Sequence, residues 1–195
     1  MKIKLMSLAA VAVMVVGCQS APYKTQYTLA TDTVSEAVPT MRTKPYAILV
    51  DDVKTLASGR DVDMTYSRTA NVIESYTQSQ WAKPPKQQIQ VAIVNALIAS
   101  HGYRDVLSAP TAISSQYKID TTIQKMQQYF DGNQGYVELS LMVRLLNSST
   151  NQVVFSKIYS AKEPVDSLNA QGGVEAYNQA LKRLLPDMIR DIHKR

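Results

Sequence analysis

Apolar residues are spaced along this chain in three ways, and each spacing predicts a different kind of element. Tyr117, Ile119, Thr121 and Ile123 alternate with Lys118, Asp120, Thr122 and Gln124, and Val137, Leu139, Leu141, Val143 and Leu145 alternate with Glu138, Ser140, Met142 and Arg144. A period of two sends successive side chains to opposite faces of a strand, so one face of a sheet is buried and the other wetter. "DGNQG" and "NSSTN" have turn composition, and "QVVFSKIYSAKE" completes a meander. Elsewhere the period is helical. From Lys86 to His101, Ile89, Ala92, Ile93, Ala96 and Leu97 form a stripe that Val94 and Ile98 widen, with Pro84 and Pro85 opening the helix and Gly102 placed to cap it. Val174, Tyr177, Leu181, Leu184, Leu185, Met188 and Ile192 mark the apolar side of a terminal helix. Pro186 removes a hydrogen bond there and predicts a kink or break near Arg183 to Leu185.

The third pattern is the continuous apolar run. "PYAILVDDV" reads as a buried strand ending in carboxylates, and "QYTLA" and "YRDVLS" as short strands. "DMTYSRT" and "NVIESYTQSQW" read as a strand pair with Ala70 and Asn71 near the turn, while "TDTVSEAVPTMRTK" is polar and reads as a connection. Together these elements predict an α+β fold: one domain, a mostly antiparallel sheet, and two main helices packed on one face.

The remaining run, Leu5 to Val16, follows Lys2 and Lys4 and stops at Gly17. A charged start, an apolar stretch shorter than the roughly 20 residues of a membrane span, and a small residue at its end predict a signal peptide over residues 1–17. Val15, Val16, Gly17 and Cys18 look like a bacterial lipobox, with cleavage between Gly17 and Cys18. Cys18 is the single cysteine of the chain, so it has no intramolecular disulfide partner, and lipidation gives it a purpose. Its sulfur would take a diacylglyceryl group and its freed amine a further acyl chain such as palmitate. Two or three chains, at about 0.8 kcal/mol per buried methylene, anchor a protein to its membrane for good. In such lipoproteins Gln19, where an aspartate would retain the chain in the inner membrane, resembles an outer-membrane address. Residues 18–25 are then a lipidated cysteine and tether, and 26–195 the folded domain facing the periplasm. From Cys18 to Tyr27 the chain spans roughly 31 Å at most, so the domain stands close to its membrane.

Charge narrows the partners. The formal net charge is +5, and losing Lys2 and Lys4 with the leader lowers it to +3. Lys and Arg are scattered without a run of five, which argues against nucleic acid as a partner. The chain carries no G-x-S-x-G elbow, no H-E-x-x-H and no phosphate loop. His101 and His193 fall at predicted helix ends, and Asp51, Asp52, Asp61 and Asp63 suit solvated loops. No catalytic residue, metal site or cofactor other than the covalent lipid is therefore assigned. Tyrosine is abundant, eleven against two phenylalanines and one tryptophan. Tyr66, Tyr76 and Trp81 on the predicted strand pair are candidate partner contacts, with cross-strand packing as the alternative and a core anchor as the alternative for Trp81.

The lipobox, "YTL" at Tyr27 to Leu29, "AILVDDV", and "MTYSRTANVIESYTQSQWAKPP" leading into a helix resemble the ABC-type transport auxiliary lipoproteins, the PqiC-like family. The similarity runs from about Tyr27 to the terminal helix and is sharpest from Trp81 to Pro84. Pro85 doubles the proline, and the segment between Gly59 and Tyr66 is rather polar. The resemblance implies an outer-membrane lipoprotein that works with MCE-domain inner-membrane proteins, sometimes with an ABC permease, in lipid transport or envelope maintenance, and brings no catalytic residues. Such a domain acts either as a docking component with a filled core or as a periplasmic lipid carrier with an apolar pocket lined by residues such as Ile93 and Leu97. An exposed strand edge would also allow a homo-oligomer. Mass spectrometry of native protein should find Cys18 as the first residue, bearing both thioether and amide-linked acyl groups; an unmodified sulfur or an uncleaved leader refutes the anchor.

Overall fold

A strand has two edges, and the longest strand of this protein fills both. The computed structural model describes residues 23–32, 36–57 and 61–195. The predicted leader, the Gly17–Cys18 cleavage site and the first residues of the tether lie outside the described residues. Among the described residues nine strands follow in chain order: β1 Thr25–Tyr27, β2 Lys44–Val50, β3 Lys54–Thr55, β4 Asp63–Ser67, β5 Glu74–Trp81, β6 Tyr103–Ser108, β7 Tyr117–Asp131, β8 Gln134–Asn147 and β9 Val153–Pro164. Helix α1, Pro85–Ala99, sits between β5 and β6, and α2, Ala170–His193, follows β9.

Along one edge β7 pairs antiparallel with β8 from Tyr117↔Asn147 to Asp131↔Gln134, and β9 continues the meander on β8. Along its other edge three short strands pair in series, all parallel: β2 at Ile48↔Tyr117, β3 at Lys54↔Thr122 and β4 at Tyr66↔Gln128. β6 then adds to β2, β5 to β4 and β1 to β5. The long ladders are antiparallel, as the alternation predicts; the parallel ones are short, and β3, only two residues long, has no pattern from which to read it.

The alternation of β7 carries a phase slip. Its register shifts between Ile123 and Lys125. Before the bulge Ile119 and Ile123 share the core face, and after it Met126 and Gln128 do. One inserted residue turns every later side chain over, which is why the strand runs on to Asp131 although its period of two is legible only as far as Gln124.

The helices cover the core face. α1 lies over β6 and β2, α2 over β8 and β9, and the two meet each other. Ile89, Ile93 and Leu97 of α1 and Leu181, Leu185, Met188 and Ile189 of α2 are fully buried against Ile48, Ile119, Leu139 and Leu141 of the sheet. Ile98, expected to widen the α1 stripe, is turned to solvent instead. No described helix is long and apolar enough to cross a membrane.

Helix ends depart from expectation in two places. α1 opens on Pro85 after Pro84, where the missing amide costs nothing, but it ends at Ala99, and the left-handed residue is His101 (φ 52°) rather than Gly102. Gly102 keeps a tight space open: a Cβ there would lie 3.0 Å from the His193 ring and 3.1 Å from the Ser100 hydroxyl. α2 runs unbroken through Pro186. The proline removes the amide that would bond Lys182, yet Leu184, Leu185, Met188 and Ile189 on either side are held in the core, and their packing outweighs one lost backbone bond.

Neighbouring substitutions in α2 should therefore act in opposite directions in urea unfolding. Leu185→Ala removes a fully buried side chain and should lower stability by about 2–5 kcal/mol, whereas Pro186→Ala restores the amide and should raise it, by up to about 3 kcal/mol.

Candidate docking surface

The three aromatic residues singled out in the sequence part company in the structure. Trp81 closes β5, is 3% exposed, and packs its ring 6.1 Å from that of Tyr177 on α2. This corrects its reading as a partner contact: it is the core anchor that ties the strand pair to the terminal helix. Tyr66 and Tyr76 face one another across β4 and β5 with ring centroids 4.7 Å apart, and Phe130 of β7 lies 5.5 Å from Tyr66. Both are half-buried and hold the cross-strand packing arrangement, with the Arg68 guanidinium 4.9 Å above Tyr66.

Gln128 fixes this cluster from below. It is buried on the core face of β7, accepts a hydrogen bond from the Tyr76 hydroxyl at 3.1 Å, and donates through Nε2 to the Asn169 carbonyl at 3.1 Å. Asn169 caps α2, its side chain accepting from the Gly172 amide at 2.9 Å. Gly173 must be glycine-sized because a Cβ would strike the Gln128 amide. One carboxamide thus joins β5, β7 and the start of α2. Burial, and next the neighbouring Tyr66, push the Tyr76 hydroxyl well above the ordinary tyrosine range, so it stays a neutral donor. The sequence pattern gave no sign of Gln128 because it stands beyond the β7 bulge, where simple alternation puts it on the wrong face.

An apolar cleft opens beside Trp81. Met64, Ile123, Met126 and Tyr177 form its floor, and Pro84, Pro85 and an Asp61–Lys86 ion pair of 3.2 Å form its rim. Its free volume is about 50 Å³, room for a few waters and far below the roughly 300 Å³ or more of ligand pockets. Ile93 and Leu97, which a lipid carrier would expose in a pocket, are fully enclosed in the core.

Several acidic residues are engaged in ion pairs. Asp51 meets Lys118 at 3.5 Å, and buried Asp120 on the wetter face of β7 sits between Arg144 at 2.8 Å and Lys54 at 3.3 Å. Among the described residues no group of three or more His, Cys, Asp or Glu converges as a metal site would require. His193 places its ring 2.8 Å from the Arg42 carbonyl and edge-on to Tyr103, while the His101 carbonyl accepts from Thr43 Oγ1 at 2.8 Å. Both histidines join helix ends to the segment leading into β2.

Asp191 has a more informative environment. Lys157 of β9 reaches it at 2.6 Å, and the Tyr159 hydroxyl donates to it at 3.1 Å. The Lys157 hydrogen bond, helped by Tyr159, holds the Asp191 carboxyl below its usual range. A depressed carboxylate stabilises the folded state above the unfolded value, near 3.9, and that contribution vanishes as pH falls through the lower folded value. Asp191→Asn should cost about 1 kcal/mol at neutral pH, in line with a partly exposed pair, and should flatten the fall in stability below pH 4 when unfolding is followed against pH.

Comparison with known proteins agrees with this architecture. A sequence model of the ABC-type transport auxiliary lipoprotein component matches residues 27–188. No curated protein matches the chain. Among solved structures, protein XCC0632 from Xanthomonas campestris is similar with a TM-score of 0.66 at 21% identity, covering 78% of this chain and 91% of its own. An uncharacterized protein gives 0.64 at 17% identity, covering 87% and 99%, and the hypothetical protein CT253 from Chlamydia trachomatis gives 0.51 at 11%, covering 77% and 96%. At these identities the structures speak for a shared fold. The chain belongs to the family of ABC-type transport auxiliary lipoprotein components.

Proposed function

We propose that this protein is lipidated on Cys18, held at the outer membrane facing the periplasm, and serves as a docking component for an MCE-domain protein of the inner membrane in an ABC-linked lipid transport or envelope-maintenance system. The observation that carries the choice of docking over carriage is the closed core. Ile93 and Leu97 are buried, and the cleft beside Trp81 is too small for an acyl chain, so the domain offers its surface and not its interior. The family is one of transport auxiliary lipoproteins, which supports a role carried by contact surface. Gln19 supports the outer-membrane address, and the short tether supports action close to the bilayer.

Tethering makes a modest contact effective. A domain confined to a membrane meets a partner that crosses the periplasm at a raised local concentration, so no large interface is required. Cross-linking in intact cells followed by capture of the lipoprotein should recover an MCE-domain protein, and material extracted without detergent from a Cys18→Ser strain should carry no stoichiometric lipid. Bound lipid with no captured MCE-domain protein would reverse the assignment in favour of the carrier.

A further inference from the structure

The strand order brings the start of the described chain to one end of the sheet. β1 runs parallel to β5 with Thr25 opposite Ser79, so Lys24 and Tyr23 precede it on the side of Glu74 and the β4–β5 turn. β4 runs parallel to β7 with Ser67 opposite Tyr129, which sets the same turn beside the β7–β8 hairpin tip. The link from β9 to α2 completes this end: the Val165 amide donates to the Gly135 carbonyl at 3.0 Å, and Leu168 packs on Gly135.

The turns at this end carry exposed apolar side chains. Val72 and Ile73 at the β4–β5 turn are 47% and 50% exposed, and Leu168 is 45% exposed. Behind them lie rings on both faces of the sheet. Tyr66 and Phe130 pack on the core side, and Tyr129 stacks on Tyr136 at 4.9 Å on the other, with the Lys162 ammonium 3.5 Å from the Tyr136 ring. Rings with a polar tip and cations on apolar stems suit the boundary between headgroups and acyl chains.

We propose that this end of the sheet rests on the bilayer that carries the anchor, with Val72, Ile73 and Leu168 entering the headgroup–acyl boundary. The inference rests on lipidation of Cys18. Given that anchor, Tyr23 lies five residue steps from Cys18, a reach of about 17 Å at most, of which the headgroup layer takes about 5–7 Å. Tyr23 therefore stays within about 10 Å of the membrane surface, and the exposed apolar turns beside it meet lipid before any other surface does. Charge does not drive the contact. Arg68 is paired with Glu74 at 3.5 Å, and Asp131 and Asp166 are exposed at the same end, so the seat requires no anionic lipid and should tolerate salt. The opposite end of β7, about 45 Å away along the strand, has exposed apolar residues of its own in Ile113, Val153 and Val154 but lies far from the tether, and Ile113, 62% exposed, serves as a control.

The test places a tryptophan at each position in the lipidated full-length mature chain, as Ile73→Trp, Leu168→Trp and Ile113→Trp. The chains are reconstituted into vesicles of phosphatidylethanolamine and phosphatidylglycerol with brominated acyl chains. Trp81 is enclosed in the core and gives a constant background. The added emission should be lost and shifted to the blue at positions 73 and 168, unchanged at 113, and unaffected by high salt. Chains that float with the vesicles but show equal emission at all three positions, or quenching at 113 alone, overturn the inference while leaving the anchor standing. Chains that do not float at all overturn both.

Discussion

Backbone pairing along β7 is the constraint on which the rest of the structure depends. Every amide and carbonyl of a central strand must find a partner, because burial without one costs about 1–3 kcal/mol per group. β8 answers that demand along one edge in a single ladder, whereas the other edge is divided among β2, β3 and β4. The division sets the shape of the molecule. Two of the short strands bring their own neighbours, β6 beside β2 and β5 beside β4, so two separate pieces of sheet are held in one by a strand that belongs to both. The helices then close over the face on which Ile119, Ile123 and Met126 converge.

Buried polar contacts refine what the ladder begins. Gln128 reaches Tyr76 on one side and the cap of α2 on the other, so the strand pair at the tether end is fixed to the terminal helix by directional bonds as well as by the packing of Trp81 on Tyr177. A fully satisfied buried amide specifies one arrangement because any other leaves it unpaired. The outcome is a firm body with a filled interior. Such a body would suit the proposed docking role, since it holds an orientation that a hollow carrier would sacrifice to make room for its cargo.

Legibility in the sequence follows the strength of the periodic signal. β8, β9 and both helices are legible because long, regular alternation and long apolar stripes admit one reading. β7 is legible up to its bulge and no further, since one extra residue inverts the pattern, and the two residues of β3 carry no pattern at all. Pro186 misleads because local preference is judged without the core that overrules it, and Gly102 misleads because small size and left-handed geometry select the same residue for different reasons. The candidate contacts divide the same way: aromatic content alone does not tell Trp81, turned inward at a strand end, from Tyr66 and Tyr76, held half in water.

The position of β7 in the chain has a consequence for biogenesis. The three strands that occupy its second edge all precede it, and the meander that occupies its first edge follows it. Until residue 117 and beyond have been made, the early strands have no spine to join, and the contacts that close the domain span long stretches of sequence. Folds dominated by such distant pairings form slowly. Under the proposed export to the periplasm, that delay would keep the chain extended while it threads a translocation channel, with assembly beginning in earnest once most of it has passed to the far side.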